Sequence, residues 1–282
     1  MPYGLVSRLA RVGALSALGL LFLSPPPSHA ADGWPSEIKA AYDVNFNGIN
    51  VGTYEFASTQ DGHTYKLTSN AKLSLLLGAL TWSGATEASG QFAGDRAKPA
   101  KYGFEFQAQS KVGSTRMSFT DDTVTQVLQS PPPKTKEGLV PVLPQHLKGV
   151  LDPLTAVLAI SRGSSESPCT RRLPVYDGTQ RFDILLQPKG QIALPEGRSG
   201  GQPTTGIVCR VRYVPIAGYK PDDGTRYLAQ NNDIEIVLRP LPSANVYVPY
   251  SVTIPTIAGN ATLVARRLNV VTNGQIQIAL SN

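Results

Sequence analysis

The sequence predicts a mainly β protein built on one antiparallel sheet, and three observations predict it. From Ile38 onward apolar residues recur with a period of two, the pattern of strands that bury one face. Turn pairs such as Asn47-Gly48, Asp61-Gly62 and Asp177-Gly178 interrupt these runs, which is hairpin chemistry rather than crossover-helix chemistry. Only one segment of the later chain carries both a helix start and a helix stop.

The chain opens on an export address. Arg8 and Arg11 precede an apolar run over residues 12–23, then Pro25, Pro26 and Pro27, then Ser28-His29-Ala30 with small residues where a signal peptidase reads. Residues 1–30 are therefore expected to be a signal peptide and residues 31–282 a single domain, although length by itself accommodates one large β domain or two small ones. No cysteine stands at the junction to carry a lipid, and no later segment reaches the ~20 apolar residues of a membrane span. The expected compartment is the periplasm.

Along the mature chain, Tyr42, Val44 and Phe46 share one strand face, and Ile49, Val51 and Thr53 alternate with Tyr54 and Phe56 on the return strand. Further strands are expected near residues 65–69, 85–92, 101–109, 115–120 and 124–128, and again over 170–176, 181–186, 205–214, 233–238, 245–254 and 261–271. Two segments break the pattern. Residues 73–82 are apolar almost all round and suit a buried helix, a strand or a hydrophobic lip. Residues 131–146 carry Pro131, Pro132, Pro133, Pro141 and Pro144, which block ladder bonding and favour an extended connector. The one helix follows. Asp152 can cap it, Pro153 suits its first turn, and Leu154, Val157, Leu158 and Ile160 form its apolar stripe before Gly163.

Charge excludes one function class. The full chain has 26 basic and 20 acidic residues, and loss of Arg8 and Arg11 lowers the formal excess from +6 to +4. The pairs Arg171-Arg172 and Arg266-Arg267 are too short to build a nucleic-acid groove. Cys169 and Cys209 are the only cysteines, and outside the cytoplasm two cysteines read as one disulfide, stabilising by about 4 kcal/mol on the chain-entropy model. A redox or metal pair is the competing reading, but neither a Cys-x-x-Cys spacing nor a nearby histidine supports it.

Catalytic equipment is sparse. His63 sits beside a turn and His146 in the connector, neither at zinc or triad spacing, and no Gly-x-Ser-x-Gly elbow occurs. The glycine-rich stretch 197–201 lacks the Walker lysine and reads as a loop. Asp177 reads as turn chemistry, while Arg181 and Asp183 lie at same-face spacing for an ion pair. Neither a metal site nor a cofactor is expected.

The order Tyr42-Asp43-Val44 with Gly48 and Gly52, then Leu151-Asp152-Pro153-Leu154-Thr155-Ala156, then Val175-Tyr176-Asp177-Gly178 followed by Arg181-Phe182-Asp183, resembles the exported bacterial proteins of the domain of unknown function 3108 family. Cys169, Cys209, Tyr213 and Gly218-Tyr219 extend the resemblance over most of the mature chain. The resemblance implies a long, strongly curved antiparallel sheet, a half-barrel or spiral similar to lipoprotein carriers of the LolA and LolB type. It brings no catalytic residues.

A curved sheet must cover its concave face, and the chain offers two covers, the 154–160 helix and the 75–82 segment. If one acts as a lid, Tyr42, Phe46, Tyr54, Phe56, Leu75, Leu77, Trp82, Phe104, Leu154 and Leu158 are the candidates to line a hydrophobic ligand, with Tyr102 and Phe106 beside them. If both cover it fully, these are ordinary core residues. The expectation is a non-enzymatic envelope protein binding a lipid, a lipoprotein acyl chain or another hydrophobic ligand. The alternatives are a periplasmic hydrolase of cell-wall or polysaccharide substrates, using acids such as Asp177 or Asp183, and a protein-interaction scaffold working through a sheet edge.

Overall fold

Asn47 and Gly48 both adopt positive φ, 49° and 80°, the left-handed pair that a two-residue hairpin requires, and they join β1 (Glu37–Phe46) to β2 (Ile49–Asp61). The same logic continues through β3 (Thr64–Leu75), β4 (Leu80–Ala93), β5 (Arg96–Ala108), β6 (Lys111–Thr120) and β7 (Thr123–Ser130), each paired antiparallel with the one before. The computed structural model describes residues 34–75, 78–133, 137–162, 167–194, 205–272 and 277–281. The expected leader, Leu77 and the glycine-rich stretch lie outside these residues.

After the proline-rich connector come α1 (Pro153–Ser161), β8 (Arg172–Tyr176), β9 (Arg181–Ala193), β10 (Thr205–Ala217), α2 (Asp223–Gln230), β11 (Glu235–Leu241), β12 (Val246–Thr256), β13 (Gly259–Val271) and β14 (Gln277–Ser281). Among the described residues all fourteen strands belong to one antiparallel sheet, in the order β7-β6-β5-β4-β3-β2-β1-β13-β12-β11-β10-β9-β8, with β14 on β13. The central join is long-range: β13 returns to pair with β1, Val271 opposite Glu37 and Ala261 opposite Phe46. At the other side of β13 the sheet forks. Gly259 to Val264 pair with β12, whereas Arg267 to Val271 pair with β14.

The sheet is open, with β7 and β8 at its edges, and the connector ties the two edges together. Lys148 bridges to Thr123 at the start of β7, and Leu151 bridges in parallel to Val175 of β8, exchanging bonds with Pro174 and Tyr176 at 2.8 and 2.9 Å. From this strap the chain enters α1. The Asp152 side chain accepts the Thr155 amide at 2.9 Å, and Pro153 opens the helix where its missing N–H costs nothing.

α1 is buried on two sides, because it lies between two cores. Leu154 and Leu158 enter the larger one with Tyr65, Leu67, Tyr102 and Met117. Ala156 and Ile160 enter the smaller, with Leu173, Val175, Leu238 and the cysteines. Leu154, Leu158 and Ile160 of the expected stripe are buried and Val157 only half so, while Thr155 and Ala156 are also buried, which a one-sided reading does not anticipate. Cys169 and Cys209 form the disulfide, Cα atoms 5.2 Å apart and both cysteines fully buried, tying the segment before β8 to β10.

Two features differ from expectation. The structure has a second helix, α2, capped by Asp222, whose carboxylate accepts the Thr225 amide and is held below the usual carboxylate range by that bond. It buries no residue completely, so no apolar stripe announced it. The described residues of the 73–82 segment are not a cover: Leu75 ends β3, Leu80 begins β4, and Leu73 stands opposite Trp82, so these residues extend a strand pair.

Candidate hydrophobic binding face

Strand register sorts the inner-face side chains into layers across the sheet, and burial differs sharply from layer to layer. One layer runs Ser58, Leu67, Ala88, Tyr102 and Met117, all buried, with the two leucines of α1 in the same core. The next runs Phe56, Ser69, Thr86, Phe104 and Thr115. Beyond it lie Tyr54, Ala71, Gly84, Phe106 and Gly113, and then Leu73, Trp82 and Ala108. In these last two layers the side chains are only half-buried. The helix therefore plugs one half of the inner face, and no described element covers the other, apolar half toward the hairpin ends.

Glycine shapes this uncovered half. A Cβ at Gly84 would collide with the Trp82 ring and one at Gly113 with the Phe106 ring, so both rings lie flat along the sheet over the space that glycine leaves. Trp82 and Phe104 centroids are 6.5 Å apart, and Phe104 stacks on Phe106 at 5.8 Å with planes 23° apart. The result is a continuous aromatic platform carried on β4 and β5.

The ten ligand candidates divide accordingly. Tyr54, Phe56, Trp82 and Phe104 belong to the half-buried layers, and Leu75 and Phe46 are half-buried at strand ends of the same side. Three lie in the core. Tyr42 is a core residue whose hydroxyl donates to the Pro249 carbonyl at 3.0 Å, holding β1 to β12 beside the fork. Leu154 and Leu158 form the plug, not the lining. Leu77 lies outside the described residues. Phe106, already a neighbour of the candidates in sequence, completes the platform with Leu73 and the two glycines; only the register identifies the glycines, since a glycine beneath a ring is a cross-strand relationship with no mark in the linear sequence.

The polar groups under the plug are structural. Asp152 is fully buried and accepts the Thr155 hydroxyl at 2.6 Å, while the Tyr65 phenol meets the same Thr155 oxygen at 3.1 Å. Burial pushes the Asp152 carboxyl up to about 6, opposed by the bonds from Thr155, and burial also raises the Tyr65 and Tyr102 phenols. The candidate catalytic acids are occupied too. Asp183 is clamped by Arg181 at 2.6 Å and by the Arg172 Nε at 2.7 Å. Asp177 accepts the Thr179 and Gln180 amides at 2.8 and 2.7 Å, and burial raises its carboxyl. Gly178 of that turn sits against Thr115 of β6, and Gln129 of β7 donates to Thr179, so this hairpin docks on the opposite side of the sheet. His146 accepts the Leu143 amide and ends a short 3₁₀ turn, and the His63 carbonyl accepts the Phe92 amide. Among the described residues no cluster of three or more His, Cys, Asp or Glu can hold a metal. An open trough of about 1060 Å³ is lined by polar residues such as Asn70, Lys72, Glu105 and Gln107 together with Ala71, Ala85 and Val112.

The comparisons with known proteins concern family and fold. The family model described as "Protein of unknown function (DUF3108)" matches residues 41–266. No curated protein matches the sequence. Among solved structures, the chain is similar to a beta-barrel-like protein of domain of unknown function DUF1849 from Brucella abortus, at 12% identity and a TM-score of 0.50, covering 84% of this chain and 98% of that one. A likeness at that identity bears on the fold alone, and it agrees with a long antiparallel sheet curved toward a barrel. No helix of the described residues is long and apolar enough to cross a membrane.

Proposed function

Because this chain belongs to the DUF3108 family of proteins of unknown function, whose description assigns no reaction, we propose from its own geometry that it is a non-enzymatic binding protein of the periplasm that holds an amphiphile with a long apolar tail. The observation that carries the reading is the aromatic platform of Trp82, Phe104 and Phe106, which no element of the described residues covers although the adjoining layers are filled by α1. A concave, mostly apolar surface with few polar groups suits an acyl chain better than a sugar or a nucleotide. The leader-like first thirty residues and the buried disulfide agree with an exported protein. The occupied state of Asp177 and Asp183 weighs against a paired-carboxylate hydrolase.

Organic extraction of the purified protein followed by mass spectrometry, together with titration of a fluorescent fatty acid, tests the reading. The expected result is a co-purifying amphiphile and saturable probe binding that Phe106→Ser weakens without lowering the melting temperature appreciably. Absence of both the amphiphile and probe binding would overturn it.

A further inference from the structure

The strands β1 to β6 with β12 and β13 are neighbours in the sheet, so their four hairpin turns emerge side by side at one end: β12–β13, β1–β2, β3–β4 and β5–β6. Register keeps the ends close to one level, since Ala261 stands opposite Phe46, Phe46 opposite Ile49, and Leu75 opposite Leu80. Each of these turns presents a large apolar side chain to solvent: Ile257 is 69% exposed, Ile49 71%, Leu80 45% and Val112 66%. Single exposed apolar residues are ordinary, but one at every adjacent tip of the same end is a rim.

The two ends of these strands differ in charge as well. The turns between β2 and β3, β4 and β5, and β6 and β7 lie at the opposite end and carry Asp61, Asp95, Asp121 and Asp122, of which Asp95 pairs with Arg162 and Asp122 with Arg96 and Lys98, so charge there is balanced within the protein. The rim turns carry no carboxylate in sequence, and exposed Lys111 and Lys72 lie one residue from Val112 and Leu73. A rigid protein surface needs a contiguous patch, whereas these apolar side chains stand singly at four separate turns. A fluid interface with anionic headgroups accepts such tips individually and attracts the lysines beside them.

We propose that this end of the sheet docks on an anionic phospholipid surface, with Ile49, Leu80, Val112 and Ile257 entering the acyl boundary and the ion-paired turns of the opposite end pointing away. The inference extends the binding role proposed above, because the rim adjoins the mouth of the aromatic platform and places it where an acyl chain enters or leaves. Docking and binding remain separable, since the four rim residues form no part of the platform.

The test is flotation of the full protein with vesicles of phosphatidylethanolamine and phosphatidylglycerol, against vesicles of phosphatidylcholine alone. The expected result is partitioning into the anionic vesicles that falls roughly tenfold or more when Ile49, Leu80, Val112 and Ile257 are all changed to Ser. That variant should keep its melting temperature and its affinity for the soluble fluorescent fatty acid. Trp82 reports insertion, because the chain has only two tryptophans and the other, Trp34, is buried among Ile38 and Phe92 away from the rim. Lipids brominated along the tail should quench Trp82 in a Trp34→Phe background. Wild-type protein that fails to float, or a rim variant that floats and is quenched like wild type, would overturn the docking, whereas loss of fatty-acid binding in wild type would overturn the binding role instead.

Discussion

The phenol of Tyr65 on β3 and the hydroxyl of Thr155 on α1 meet at 3.1 Å across ninety residues of sequence. Thr155 in turn donates to the buried Asp152 carboxylate at 2.6 Å, so a single threonine oxygen joins the helix cap to the sheet. This contact fixes where α1 lies on the inner face, and hence which half of that face stays open.

Thr155→Val removes both bonds while keeping the volume, and it leaves the Asp152 and Tyr65 oxygens buried without that partner. Each unsatisfied group costs about 1–3 kcal/mol, so urea unfolding should show a clear loss of stability. Tyr65→Phe removes only the outer link and should cost less. Equal losses for the two variants would contradict the shared-oxygen arrangement.

Asp152 also sets a pH dependence. Its carboxyl stands at about 6 in the folded protein against 3.8 as the ordinary value, because burial penalises the charge. The native state therefore holds this proton more tightly than the unfolded chain. This contribution to stability is complete below the unfolded value and declines as pH rises through the interval from 3.8 to about 6. Asp152→Asn keeps the amide-accepting cap and removes the titration. Melting temperatures measured across that interval should fall with rising pH by a larger amount in wild type than in the variant; parallel curves would refute the assignment.

Asp183 is a buried carboxylate between two arginines, one of them, Arg181, itself buried. Asp183→Ala strands the Arg181 charge and should destabilise by about 3–5 kcal/mol. Calorimetry tests it. A variant with unchanged stability would free Asp183 for a chemical role and reopen the hydrolase reading.

Replacing both Cys169 and Cys209 by Ser should lower stability by about 4 kcal/mol, the entropy of a loop closed over forty residues. Because both are fully buried, a mild reductant should leave the native bond intact until the protein unfolds. Rapid reduction of the folded protein under mild conditions would show that the bond is accessible.

Gly113→Val tests the platform itself. The added side chain would meet the Phe106 ring and displace it from the sheet. Probe binding should weaken several-fold, and the tryptophan emission of Trp82 should shift as its aromatic neighbours rearrange; unaltered emission and affinity would show that the flat rings are not required.

Local rules made much of this protein legible in sequence. Asn47-Gly48 and Asp61-Gly62 named their hairpins because few residues tolerate positive φ. Asp152-Pro153 located α1 because helix ends demand a cap, and two cysteines allowed one bridge. What lay beyond reach were relationships between distant segments. Period two says that Tyr42, Tyr54 and Phe104 have an apolar side, but not which of them the helix covers. That choice follows from the pairing of β13 with β1 and from the placement of α1 between two cores, both set by contacts far apart in the chain. Burial is a property of three-dimensional neighbours, so the sequence by itself determined the strands, the cap and the disulfide, and only the tertiary structure decided that one half of the aromatic face is core and the other half open.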